Sequence, residues 1–252
     1  MSIFSGFKDF FSNRREARAE KAARTVKNPK AIKEDRWAAL EFFNSVNEPE
    51  VAIPALLARF DFSLEHGIND TREKELAMEG ITRHGAAAIP IVRGHLLTTT
   101  RIAWPLKILK SVGTEQDLVD TLKASLNFTD VSFDENATDK NYDILCYLID
   151  HKVPQFADKL AHFLNDPDER VRFAATEVLV EQDDPQIPQH LERFLSDESA
   201  ENTRIRQAVI NAFWKNKWTV RNPGIFPEGH IIDTLYVSPQ GTLQVRSPQP
   251  LS

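Results

Sequence analysis

The sequence predicts an all-α fold, a right-handed superhelix (α-α solenoid) of about six stacked helical hairpins with a short C-terminal β-hairpin. Three observations carry this prediction. An eight-residue run opening on Ile-Pro or Val-Pro recurs along the chain, and an amphipathic stretch lies ahead of each copy. The composition, with only 9 Gly and 3 Tyr in 252 residues, favours helix over sheet.

The recurring run is clearest as Ile53-Pro54-Ala55-Leu56-Leu57-Ala58-Arg59-Phe60. It returns as Ile89-Pro90 to Leu96, as Val153-Pro154 to Leu160 and as Ile187-Pro188 to Phe194. Leu118-Val119 to Leu122 fills the remaining slot without a proline. Positions 54, 90, 119, 154 and 188 are separated by 36, 29, 35 and 34 residues. Proline has no N–H and a φ already near the helical value, so it is tolerated in a first helical turn. Each copy is therefore expected to open the second helix of a hairpin. The apolar residues that follow, such as Leu191, Phe194 and Leu195, recur at three- and four-residue steps and make one buried stripe.

The first helices of the hairpins are read from Trp37-Ala38-Ala39-Leu40, entered at Asp35, from Val171 to Leu179 and from Ile205 to Phe213. Alanines at recurring positions let helices approach closely, and Asp or Asn ahead of a helix accepts hydrogen bonds from its orphan N–H groups. Asp166-Pro167-Asp168-Glu169-Arg170-Val171-Arg172-Phe173-Ala174-Ala175 resembles the HEAT-repeat pattern of Asp, Val-Arg and paired small residues. Arg204-Ile205-Arg206-Gln207-Ala208 is a second copy, 34 residues on from Arg172 to Arg206. The resemblance to HEAT-repeat (armadillo-like) proteins of bacterial type spans roughly residues 35–216 and is strongest in 165–216, because the earlier copies lack the Val-Arg pair.

Two segments interrupt the rhythm, residues 61–70 and the acidic residues 127–140, and long links within compact repeats often carry function or motion. Residues 1–34 are expected to form a basic amphipathic capping region, 35–218 the repeats, 219–246 a β-hairpin and 247–252 a disordered tail. The hairpin is read from Ile231–Val237 and Thr242–Arg246 around Ser238-Pro239-Gln240-Gly241.

Charge divides the chain. Residues 1–36 hold ten Lys/Arg against five Asp/Glu, so this end carries +5 while the other 216 residues carry −11. Phe4, Phe7, Phe10 and Phe11 fall on one face of the same end. That face suits a cap over the first repeat, the favoured reading, and it also suits an anchor on anionic lipid. The single cysteine, Cys146, allows no internal disulfide and fits a reducing, cytoplasmic setting; it lies on an apolar helix face as a small hydrophobe.

Chemistry finds little support. The seven histidines form no His-Glu pair and no His-x-x-x-His clamp, so no metal or other cofactor is expected. Glycine-rich phosphate loops and the Gly-x-Ser-x-Gly elbow are absent, and no small-molecule substrate is evident. An acidic repeat region repels a phosphate backbone, which disfavours nucleic acid as a partner. Arg101 to Trp104 and Trp214 to Trp218 are the basic-aromatic clusters, explained most simply by core or cap packing.

The resemblance implies a non-catalytic scaffold or adaptor that binds another protein through the concave repeat surface. Arg59, Arg93, Lys123 and Arg193 are the candidate contact residues, as exposed positions on second helices. The alternatives are a HEAT-type enzyme or accessory, lyase-like or DNA glycosylase-like, and a peripheral membrane adaptor working through the N-terminal helix.

Overall fold

The computed structural model of the chain describes residues 13–128, 134–226 and 229–246. Phe4, Phe7, Phe10, Phe11, part of the acidic link and the C-terminal tail lie outside the described residues. The structure is mostly helical, with twelve α-helices and three short strands among the described residues. It divides into two compact units, Met1–Leu126 and Asn127–Ser252.

The first unit holds α1 (Asn13–Val26), α2 (Lys33–Asn44), α3 (Pro49–Leu57), α4 (Gly67–Thr82), α5 (Ala88–Thr98), α6 (Ala103–Val112) and α7 (Glu115–Ser125). Their packing is regular. Helix α2 lies against α4 and α4 against α6, while α3 lies against α5 and α5 against α7. Helix α1 packs against α2 and α3. The sequence accounts for these contacts, since the buried residues recur at helical spacing: Leu40 and Phe43, Ile53, Leu56 and Leu57, Ala77 and Ile81, Val92 and Leu96, Leu118 and Leu122. Each is at most 3% exposed, and burying such a side chain contributes roughly 1.5–3 kcal/mol before conformational entropy is set against it.

The second unit holds α8 (Glu135–Leu148), α9 (Ala157–His162), α10 (Glu169–Val180), α11 (Ile187–Leu191) and α12 (Thr203–Asn216). Helix α10 packs against α8, α9, α11 and α12. Helices α9 and α11 are short and tighten into 3-10 turns at Phe163–Asn165 and Glu192–Leu195.

The four prolines of the repeat divide by context. Pro90 and Pro188 sit in the first turns of α5 and α11, as expected. Pro54 instead lies inside α3, which already begins at Pro49, so α3 forgoes one backbone hydrogen bond there. Pro154 precedes α9, in a turn where Gln155 takes a left-handed φ of 60°. Entrances also shift. Helix α10 is capped by Asp168, whose side chain accepts from the Arg170 N–H, while Asp166 accepts from the Asp168 N–H.

The C-terminal element has three strands, where two were expected. β1 (His230–Ile232), β2 (Leu235–Val237) and β3 (Leu243–Val245) form an antiparallel sheet in that order. The run Ile231–Val237 folds back on itself at Asp233-Thr234, which pairs Ile232 with Leu235. The second turn lies where the sequence put it. Ser238 and Gly241 close it through a 2.8 Å Gly241 N–H to Ser238 O hydrogen bond, and Gly241 has φ 82°. A Cβ on Gly241 would stand 2.3 Å from the Val220 carbonyl oxygen, so only glycine fits. β3 packs on α12, and Arg206 of α12 donates to the Ile231 carbonyl at 2.6 Å.

Candidate functional site

The densest polar structure of the first unit is built where α3 runs into α4. Arg59 belongs to the first Ile-Pro run, and its side chain is wholly buried. Asp70, Glu73 and Lys74 stand at three- and four-residue spacing on α4, so one face of that helix meets Arg59. Arg59 Nε donates to Glu73 Oε2 at 2.8 Å, and its Nη2 donates to Asp70 Oδ1 at 2.7 Å. Its guanidinium also lies 4.4 Å from the centre of the Phe62 ring.

Glu73, 0% exposed, is shared. Arg36 of α2 grips it with two 2.9 Å hydrogen bonds, from Nε to Oε2 and from Nη2 to Oε1. Arg36 also donates to the carbonyls of Pro29 and Ala31 ahead of its own helix. Lys74 Nζ donates to Asp70 Oδ2 at 2.7 Å and to Ser63 Oγ at 3.3 Å. Arg101 Nη1, from the stretch between α5 and α6, reaches the same Ser63 Oγ at 3.1 Å. Beside it Trp104 stacks on Phe60, with ring centres 5.9 Å apart, and Lys107 Nζ lies 4.5 Å from the Trp104 ring centre.

The electrostatics of this cluster are uneven. Arg36, Arg59 and Lys74 face the carboxylates of Asp70 and Glu73, three buried cations to two buried or nearly buried anions. Burial pushes the Asp70 carboxyl up, but hydrogen bonds from Lys74, Arg59 and the Leu64 N–H outweigh it and hold the group below the usual carboxylate range. Asp70 is therefore ionised throughout the neutral range and locks the start of α4 to Arg59.

The first-helix arginine recurs. Arg36, Arg172 and Arg206 each occupy the fourth position of α2, α10 and α12. Arg172 donates at 2.9 Å to the carbonyls of Asp166 and Pro167 and at 3.1 Å to Asn202 Oδ1. Arg206 donates to the carbonyls of Leu195 and Ile231. Each arginine thus ties the segment before its own helix to the element that follows the hairpin. Arg36-Trp37-Ala38-Ala39 parallels Arg172-Phe173-Ala174-Ala175, a match the sequence carried at residue 36 as well.

In the second unit an open cleft of about 490 Å³ lies along the turns after α8, α10 and α12, lined by residues that include Lys152, Gln182, Asp183, Lys215 and Trp218. Buried Gln182 knits its wall, accepting from the Val153 N–H at 2.7 Å and donating to the His151 carbonyl at 3.1 Å.

The candidate contact residues have different surroundings. Arg59 is not exposed at all: two carboxylates of α4 hold it inside, so it is removed as a surface contact. Arg93 is about half-exposed and stands 3.6 Å from Asp117 Oδ1. Lys123 is half-buried on α7. Arg193 is exposed, donating to the Leu164 carbonyl at 2.8 Å and lying over the Phe194 ring. Trp218 packs edge-on to buried Phe213, but Trp214 is 46% exposed rather than in the core. Cys146 is half-buried, and burial pushes its thiol up, away from the nucleophilic form. Sequence reasoning missed Ser63, Asp70, Glu73 and Lys74, although the lengthened link at 61–70 was its signal.

No protein-family model, curated protein or solved structure matches this chain. No helix among the described residues is long and apolar enough to cross a membrane.

Proposed function

We propose that the chain is an α-solenoid of HEAT type that acts as a non-catalytic binding module for another protein. The observation that supports this reading is the order of packing, in which each helix of a row lies against the next-but-one helix of the chain: α2, α4 and α6, then α3, α5 and α7, and again α8, α10 and α12. Such rows arise when identical supersecondary units cannot bury their apolar faces alone and do so on their neighbours. Within each row, exposed side chains such as those on α5, α10 and α12 can vary without cost to the core. The recurrent arginines support it from the side of the polar groups, since Arg36 and Arg172 each reach the next hairpin and Arg206 reaches the terminal sheet.

The test is capture of a partner by the tagged full chain, followed by reconstitution from purified components. Alanine is then scanned across exposed positions of successive helices, including Arg93 and Arg193. A stoichiometric complex weakened by substitutions aligned along one row supports the reading. Failure of every captured protein to rebind, or substitutions that matter only around one enclosed pocket, would contradict it.

A further inference from the structure

The buried cluster of the first unit sets three cations against two carboxylates, and one of those cations, Lys74, reaches a surface hydroxyl. Ser63 is exposed on the link between α3 and α4. Its Oγ accepts hydrogen bonds from two cations of different elements, Lys74 Nζ of α4 at 3.3 Å and Arg101 Nη1 at 3.1 Å. Lys74 is only 6% exposed and is fixed by Asp70, so its ammonium is held in place rather than free in solvent. Among the described residues no carboxylate lies within 4.0 Å of Arg101, although most other arginines here have such a partner or a carbonyl. Asp61 of the same link lies by His95, with 3.8 Å between Asp61 Oδ1 and His95 Nε2.

We propose that Ser63, Lys74 and Arg101 form a binding site for a phosphate monoester group. The donors suit it: a fixed ammonium, a guanidinium with unspent N–H groups and a hydroxyl whose own hydrogen is free to turn outward. The charge suits it as well. One uncompensated cation of the buried set, together with Arg101, gives an excess of about two positive charges, matching a phosphate monoester that carries between one and two negative charges at neutral pH. A neutral or cationic ligand gains nothing here, and a carboxylate offers one charge and two oxygens where the site presents donors from three directions. Residues 37–252, which include the three donors, together carry −11, so a local positive focus among them stands out for an anion. The site stands on its own geometry, whether or not the partner protein is the source of the phosphate.

The experiment is titration of the full-length protein with inorganic phosphate, phosphoserine and serine in a chloride buffer of constant ionic strength, followed by calorimetry and by thermal unfolding. Phosphate and phosphoserine are expected to bind and to raise the melting temperature, with serine inert. Arg101→Ala and Ser63→Ala change exposed side chains and are expected to fold as the wild type does. Arg101→Ala should weaken binding about tenfold or more, while Lys107→Ala, on the neighbouring tryptophan, leaves it unchanged. Equal responses of wild type and Arg101→Ala, or a phosphate response that does not saturate and does not exceed that of serine, overturn the proposal. If phosphoserine alone binds while inorganic phosphate does not, the ligand's organic portion is being read and the phosphate assignment fails.

Discussion

Glu73 shows how much one side chain can hold. Both of its oxygens are taken by guanidinium groups of Arg36 and Arg59, and all three side chains are buried. A buried ion pair gains little over a well-packed apolar substitute, but removing one partner strands the charge of the other. Glu73→Gln keeps the volume and discards the charge, leaving buried Arg59 with Asp70 and buried Arg36 without its carboxylate. A loss of about 3–5 kcal/mol in the free energy of urea unfolding is expected. A second residue reports on pH. His84 follows α4, and its Nε2 is buried with no hydrogen-bond partner. Burial, then the charge of Arg83, holds its pKa below the ordinary 6.5, with Glu50 opposing. The folded chain therefore resists a proton that the unfolded chain accepts. Stability from this residue is intact above pH 6.5 and falls as the pH drops from there toward the lowered folded value. Comparing denaturation midpoints at pH 7.5 and pH 5, His84→Gln should reduce the acid loss seen in the wild type; an unchanged difference would rule out the residue's part.

At the scale of elements, close approach of helices rests on particular small residues. Gly80 of α4 faces α2 and α3, where an added Cβ would stand 1.8 Å from Asn44 Oδ1 and 2.8 Å from Leu56 Cδ1. Neither neighbour can yield easily, since Asn44 donates to the Leu76 carbonyl at 3.1 Å and Leu56 is fully buried. Gly80→Ala should cost about 1–3 kcal/mol by forcing the helices apart, despite alanine's better helix propensity. Adding Asn44→Ala should recover part of that loss, and thermal unfolding of the two variants checks both steps. The elements themselves were largely legible in the sequence. The four Pro-containing runs and the 118–122 run fall on or at the mouths of α3, α5, α7, α9 and α11, because helix starts and apolar stripes are local signals. The misses have local causes too. Pro54 is interior because Pro49 had already opened α3, and a two-residue turn at Asp233-Thr234 made three strands from a run read as one. Arg59 was misplaced for a different reason. Its position in the repeat matches exposed Arg193, and only the acids of the following helix decide that it is buried.

For the whole molecule, packing is between neighbours in the chain. If the rows packed next-but-one are stacked repeats, as proposed, stability is a sum of short-range terms. The candidate site was only partly legible for the same reason that the fold was. Spacing reveals which residues repeat, but a charge cluster drawn from α2, the turn after α3, α4 and the segment before α6 has no signature within any single stretch. The most direct measurement is equilibrium unfolding of the isolated segment Met1–Leu126, followed by far-ultraviolet circular dichroism in urea. Stacked repeats predict a helical, monomeric fragment that unfolds cooperatively, at a lower midpoint than the full chain. A fragment that is unstructured at zero urea, or that loses helix gradually with no transition, would contradict the claim that each helix pair is held by its neighbours.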